Sequence, residues 1–176
     1  MRNSILKSAF AFVLGFFILS VEAKTQFSSR YFDTTSDCTC LEEGLQEGQD
    51  CTQFKCKEMA GYQVRIKYDG SACDSGVLEI VKGSKELISI KEVPTKLEWR
   101  FADNHPFAVI YRLKGPSKSC LTQGVSTTAN EMLVVAGLEK FHDISGQLKA
   151  KIPDANAKAR EIADKGFANS SNKAEQ

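Results

Sequence analysis

The sequence is poor in the residues that most often carry chemistry. Its 176 residues include two histidines, His105 and His142, and one tryptophan, Trp99. His105 stands between Asn104 and Pro106, in a turn by composition. His142 precedes Asp143, but neighbours on a strand point to opposite faces. No third ligand stands at metal-site spacing, so no metal centre and no histidine-based catalytic site is read here. The absence of a Cys-x-x-Cys pair argues against a thiol oxidoreductase. Gly124-Val125-Ser126-Thr127-Thr128 lacks the second glycine of a nucleophile elbow. No phosphate loop or dinucleotide fingerprint occurs, and no cofactor is expected. No internal repeat is visible. Before Asp154 no segment keeps a 3.6-residue apolar stripe over two turns, which excludes a helix-rich fold.

A long apolar run is also lacking. Residues 9–19 are apolar, behind the basic Arg2 and Lys7, and Val21-Glu22-Ala23 places small residues where signal peptidase cuts. The run is too short for a comfortable membrane span. We read residues 1–23 as a signal peptide cleaved after Ala23, and expect export to the periplasm or the medium. Cleavage would remove Arg2, Lys7 and Glu22, leaving 21 basic and 21 acidic residues and no net charge. A neutral domain has no field to attract a polyanion, so neither nucleic acid nor the membrane surface is expected as a partner. The oligomeric state is not legible.

What the chain does have is cysteine. Cys38, Cys40, Cys51, Cys56, Cys73 and Cys120 all survive cleavage, and an even count in an exported chain reads as disulfides. A four-thiolate zinc site is disfavoured by the spacing and by export. Nesting Cys40–Cys51 inside Cys38–Cys56 would make a small stapled loop, with pairings that reach Cys73 or Cys120 as alternatives. This loop is chemically distinct. Residues 33–50 carry Asp33, Asp37, Glu42, Glu43, Glu47 and Asp50 and no base. With so few apolar residues, covalent closure must order the segment.

The rest alternates with the period of strands. Tyr62, Val64, Ile66 and Tyr68 share one face while Gln63, Arg65 and Lys67 share the other. Asp69-Gly70-Ser71 reads as a turn, 77–81 as a strand, and Lys82-Gly83-Ser84-Lys85 as a turn into a strand over 86–93 that Pro94 ends. Residues 97–113 read as a hairpin about Asp103-Asn104-His105-Pro106. Its apolar face comprises Leu97, Trp99, Phe101, Phe107, Val109, Tyr111 and Leu113; Lys96, Glu98 and Arg100 take the other face. Residues 115–130 form a long polar loop that Cys120 would tie. Met132 to Leu138 is apolar on both faces, as a central strand is, and the alternation of Ile144, Gly146, Leu148, Ala150 and Ile152 reads as a last strand. After Pro153, Asp154 can cap a helix over 155–165, with Ala155, Ala159, Ile162 and Ala163 inward and Gly166 ending it.

The fold expected is mainly β: an antiparallel β-sandwich or small barrel with a disulfide-stapled N-terminal segment and one C-terminal helix. Residues 24–58 read as a polar leader and acidic Cys-rich segment, 59–168 as the β domain and 169–176 as a disordered tail. Within the leader a linker with tucked aromatics is favoured over an edge strand at 27–32. The functional expectation is an exported, non-enzymatic binding domain. It would meet another exported protein through Glu42, Glu43, Glu47 and Asp50, with the 115–130 loop as a second contact. A basic partner, such as a cell-wall hydrolase blocked by an inhibitor, suits the acids. One alternative is a carbohydrate-binding module stacking a glycan on Trp99, Phe101, Phe107 and Tyr111, although such a slab is more often core. Another is a small envelope hydrolase, which requires His105 or His142 to share a cleft with a carboxylate or hydroxyl.

Overall fold

The computed structural model describes residues 24–41, 51–68, 76–114 and 131–174. The expected signal peptide, residues 42–50 of the acidic run, the Asp69-Gly70-Ser71 turn, Cys73, Cys120 and the 115–130 loop lie outside them. Among the described residues there are ten strands: β1 (Phe27–Asp33), β2 (Cys38–Cys40), β3 (Gln53–Cys56), β4 (Gln63–Lys67), β5 (Val77–Lys82), β6 (Lys85–Ile90), β7 (Lys96–Ala102), β8 (His105–Leu113), β9 (Met132–Gly137) and β10 (Ser145–Lys149). A helix, α1 (Ala155–Ala174), follows. The strands form two antiparallel five-stranded sheets, ordered β1-β7-β8-β9-β10 and β2-β3-β4-β5-β6. The fold is mainly β as expected, and the two separate sheets make it a sandwich rather than a barrel.

The period-two patterns explain the layers. Val64, Ile66, Leu78, Ile80 and Ile90 of the second sheet face Leu97, Trp99, Phe101, Val109 and Val134 of the first. On its other side the first sheet buries Phe107, Ala108, Ile110, Leu133 and Val135 against Ala155, Ala159 and Ala163 of α1. The order is therefore sheet, sheet, helix. β7, β8 and β9 are strongly buried because they are covered on both faces. The apolar hairpin is core, with Trp99 fully enclosed and its ring 5.6 Å from that of Tyr62. The Trp99 indole N–H has no acceptor among the described residues.

Several expectations are corrected. Phe107 leaves the apolar slab because register shifts between Arg100 and Phe101: Arg100 faces Ala108, whereas Phe101 faces Pro106. This bulge adds one residue to β8 and turns Phe107 toward the helix. The tight turn is Asp103-Asn104, both at positive φ, and His105 and Pro106 already belong to β8. β6 stops at Ile90, four residues before Pro94. The leader is no linker: β1 pairs with β7 over seven residues, and β2 and β3 belong to the second sheet. Gly166 does not end α1, which continues to Ala174 through residues read as a tail. A Cβ at Gly166 would lie 2.9 Å from Cγ1 of Ile144, so glycine serves the close approach of helix to sheet.

Glu98 and Arg100 occupy the face opposite Trp99 as expected, but they are buried there. Arg100 holds Asp164 of α1 through Nη2–Oδ2 at 2.6 Å and Nε–Oδ1 at 3.0 Å, and donates from Nη1 to Ser29 Oγ at 2.8 Å. Glu98 accepts from Ser29 Oγ and from Arg160 Nε, each at 2.5 Å, and Arg160 Nη2 donates to the Tyr31 hydroxyl at 2.8 Å. One clamp thus joins β1, β7 and α1. Removing one partner leaves a buried charge unpaired, which costs more than the pair contributes. Asp164→Ala should destabilise by about 2–3 kcal/mol in urea melts, and Arg100→Met combined with Asp164→Leu should recover most of that loss.

Trp99→Phe strands no donor and should cost under about 1.5 kcal/mol, against about 3–5 kcal/mol for Trp99→Ala. A loss in Trp99→Phe well above about 1.5 kcal/mol would mean that the indole N–H has an acceptor in solution.

Candidate ligand cleft

The staples come first in the chain. Cys38–Cys56 and Cys40–Cys51 are bonded in the nested arrangement, and Cys38 lies directly across from Cys56 in the β2–β3 ladder. The bridges fix both ends of a segment whose candidate contact residues, Glu42, Glu43, Glu47 and Asp50, lie outside the described residues, as do Cys73 and Cys120. The two described acids of the run are engaged locally. Asp33 accepts from the backbone N–H and hydroxyl of Thr35, and Asp37 accepts from the Asp33 N–H and from Lys57. These bonds hold both carboxyls below their ordinary range; for Asp33 the Thr35 hydroxyl is the main cause, for Asp37 the Asp33 N–H. Both belong to the turn between β1 and β2.

The aromatic hairpin offers no open platform. Trp99, Phe101 and Phe107 are fully buried and Tyr111 nearly so, so a stacked glycan has no face to occupy.

A cleft lies elsewhere, at one end of the sandwich, where all three layers meet. It has a volume of about 480 Å³, within the size range of ligand sites. The second sheet contributes Lys82 of β5 and Tyr62 just ahead of β4, the first sheet His105 of β8 with Asp103 and Glu139 from its β7–β8 and β9–β10 connections, and the helix Phe167 and Ser171. Local backbone chemistry places these groups. The β9–β10 connection contains a 3₁₀ turn, Glu139–Phe141. It closes so tightly that a Cβ on Gly137 would meet the Phe141 carbonyl oxygen at 1.8 Å. Left-handed backbone also gathers here. Among the described residues five non-glycine positions have positive φ; Ala60 (50°), Asp103 (47°) and Glu139 (49°) line the cleft, and Asn104 (66°) adjoins it. Such conformations are unfavourable for side-chain-bearing residues and concentrate at functional sites.

The polar groups of the cleft answer one another. Lys82 Nζ lies 2.6 Å from Glu139 Oε1 and 5.0 Å from the Tyr62 ring centroid. The Lys82 bond holds the Glu139 carboxyl below its ordinary value, and the Glu139 bond raises the Lys82 ammonium. Burial, reinforced by the Glu139 charge, pushes the Tyr62 hydroxyl up, so it is a protonated donor at neutral pH. The Asp103 carbonyl lies 3.0 Å from His105 Nδ1. A carbonyl only accepts, so Nδ1 carries the proton and Nε2 is the ring's remaining polar atom. His142 is not among the lining residues; it contacts the Glu139 carbonyl and Asp143 on the open surface. Among the described residues no three His, Cys, Asp or Glu side chains gather as a metal site.

His105 therefore shares a cleft with carboxylates and a hydroxyl. Tyr62, Lys82, Glu139, Phe141, Phe167 and Ser171 were not legible as a site, because four separated segments supply them. The one local trace is Gly137 at a strand end. No family model, curated protein or solved structure matches the chain.

The pH dependence of the Lys82–Glu139 pair has a definite sign. The depressed carboxyl contributes stability above its unfolded value of 4.5 that is lost as pH falls through the folded pKa; the raised ammonium contributes below 10.5 and is lost as pH rises through its folded pKa. Glu139→Gln should lower the urea midpoint at about pH 7, and the gap from the unsubstituted protein should close as pH falls below 4.5 through the lowered folded pKa. An equal midpoint at neutral pH would show that the pair contributes nothing.

Proposed function

We propose that this chain is an exported, disulfide-stapled, non-enzymatic binding domain that takes its ligand in the end cleft. The convergence of three layers on one cleft, with left-handed residues in its walls, carries the reading. The two disulfides suit an oxidising compartment. Among the described residues no helix is long and apolar enough to cross a membrane. Binding is favoured over catalysis because the strongest polar groups are engaged with one another. Lys82 and Glu139 form a pair, and a protonated tyrosine is a donor rather than a nucleophile. A protein partner remains the preferred ligand source, with Glu42, Glu43, Glu47 and Asp50 as a second contact on the stapled segment.

The hydrolase reading retains one specific observation, the placement of His105 beside Asp103, Glu139 and Tyr62. The carbohydrate reading has none.

Filling the cleft separates the first two. Ser171→Trp places a large ring at the cleft wall while leaving both disulfides and the clamp intact. Compounds from a fragment library that raise the melting temperature of the unsubstituted protein should lose that effect in Ser171→Trp. Full retention of all such shifts would overturn the cleft as the site. Turnover of a panel of chromogenic esters and amides that disappears in His105→Ala would establish the hydrolase instead.

A further inference from the structure

We infer that the end cleft selects a singly charged carboxylate attached to a large apolar or aromatic group. The inference rests on the cleft being a ligand site and names what it takes. The acids of the cleft are already engaged: Glu139 is paired with Lys82, and Asp103 Oδ1 accepts the Gln26 N–H at 2.9 Å. The Tyr62 hydroxyl is drawn into the Glu139–Lys82 pair. Among the described residues Lys140 has no acidic partner; its ammonium lies 5.1 Å from the centroid of the Phe141 ring. The remaining open polar groups are the Ser171 hydroxyl and His105 Nε2. The cation that remains open is thus set against an aromatic wall. Phe141 and Phe167, both half-buried, pack with ring centroids 4.9 Å apart, and Pro106 borders them.

Charge sets the upper limit on the ligand. Lys82 is taken by Glu139 and Asp103 is bonded to the Gln26 N–H, so among the described lining residues Lys140 is the one cation left to meet a ligand, and it matches a monoanion better than a dianion such as a phosphate monoester. A monoanion can sit on Lys140 with its apolar part against the phenylalanines, where partial desolvation strengthens the contact. A free aromatic acid and the C-terminus of a protein ending in a large apolar residue present this same chemistry.

The test is a chemical-shift titration of the full mature chain with N-acetyl-phenylalanine, its amide, N-acetyl-alanine, and a pentapeptide ending in phenylalanine with a free or amidated C-terminus. The acids should perturb the cleft amides and bind at least ~10-fold more tightly than the matching amides. N-acetyl-alanine should bind more weakly than N-acetyl-phenylalanine. Lys140→Gln should erase the preference for acid over amide, and Lys140→Arg should keep it. Because Lys140 is exposed, neither change should disturb the fold. Binding by the pentapeptide acid alone would assign the chemistry to a protein terminus, and equal binding by both acids to a free acid. Equal affinity for acid and amide would overturn the ligand class and leave the cleft as a site. If neither these probes nor any library fragment perturbs the cleft, the underlying binding reading fails as well.

Discussion

The buried ionic clamp between Arg100 and Asp164, extended through Ser29, Glu98 and Arg160, is what the third layer depends on. The apolar seat of α1 is built largely on alanines, Ala155, Ala159 and Ala163. Small side chains allow a close approach to the sheet but give little shape with which to fix position along it. A bidentate guanidinium–carboxylate pair is directional and does fix position. Phe167 lies three residues beyond Asp164, close to one turn along the helix. There it packs on Phe27, Phe107 and Phe141. The clamp thus reaches the cleft through the helix: where Asp164 is held decides where Phe167 and Ser171 stand. Tyr31 and Ser29 bring the edge strand β1 into the same network, which explains why a polar N-terminal segment becomes a full strand.

The parts of the fold that were legible were those set by local periodicity. Tyr62 to Tyr68 alternates, and β4 follows. Met132 to Leu138 is apolar throughout, and β9 lies inside its sheet. The short spacings of Cys38, Cys40, Cys51 and Cys56 suit nested closure, and that closure is present. What could not be read depended on contacts between distant segments. A one-residue bulge moved Phe107 from one core to the other, with only Pro106 beside it as a trace. Glu98 and Arg100 belong by alternation to the polar face of β7; nothing local signals that a helix with Arg160 and Asp164 covers that face. Gly166 has the composition of a helix stop, but Ile144 requires glycine at that point within a continuing helix. The cleft was illegible for the same reason, since its residues share no motif spacing and meet only after both sheets and the helix are in place.

Charge is distributed so that the described acids largely serve structure. Asp33 and Asp37 shape a turn, Glu98 and Asp164 belong to the clamp, and Glu139 bridges the two sheets through Lys82. This local pairing is what a chain with a net charge of only +1 can achieve, and it turns attention from long-range electrostatics to short-range fit. The cleft matches that description: a pocket of modest size, aromatic on one wall, with Lys140 as an open cation.

The most direct test of the account is amide chemical-shift mapping of the protein with a bound fragment. Binding in the cleft should perturb amides of Tyr62, Lys82, Asp103, Phe141 and Phe167 together, since three layers enclose one ligand. Perturbations confined to a single layer, or centred on the outer face of the second sheet about Lys55 and Arg65, would contradict it.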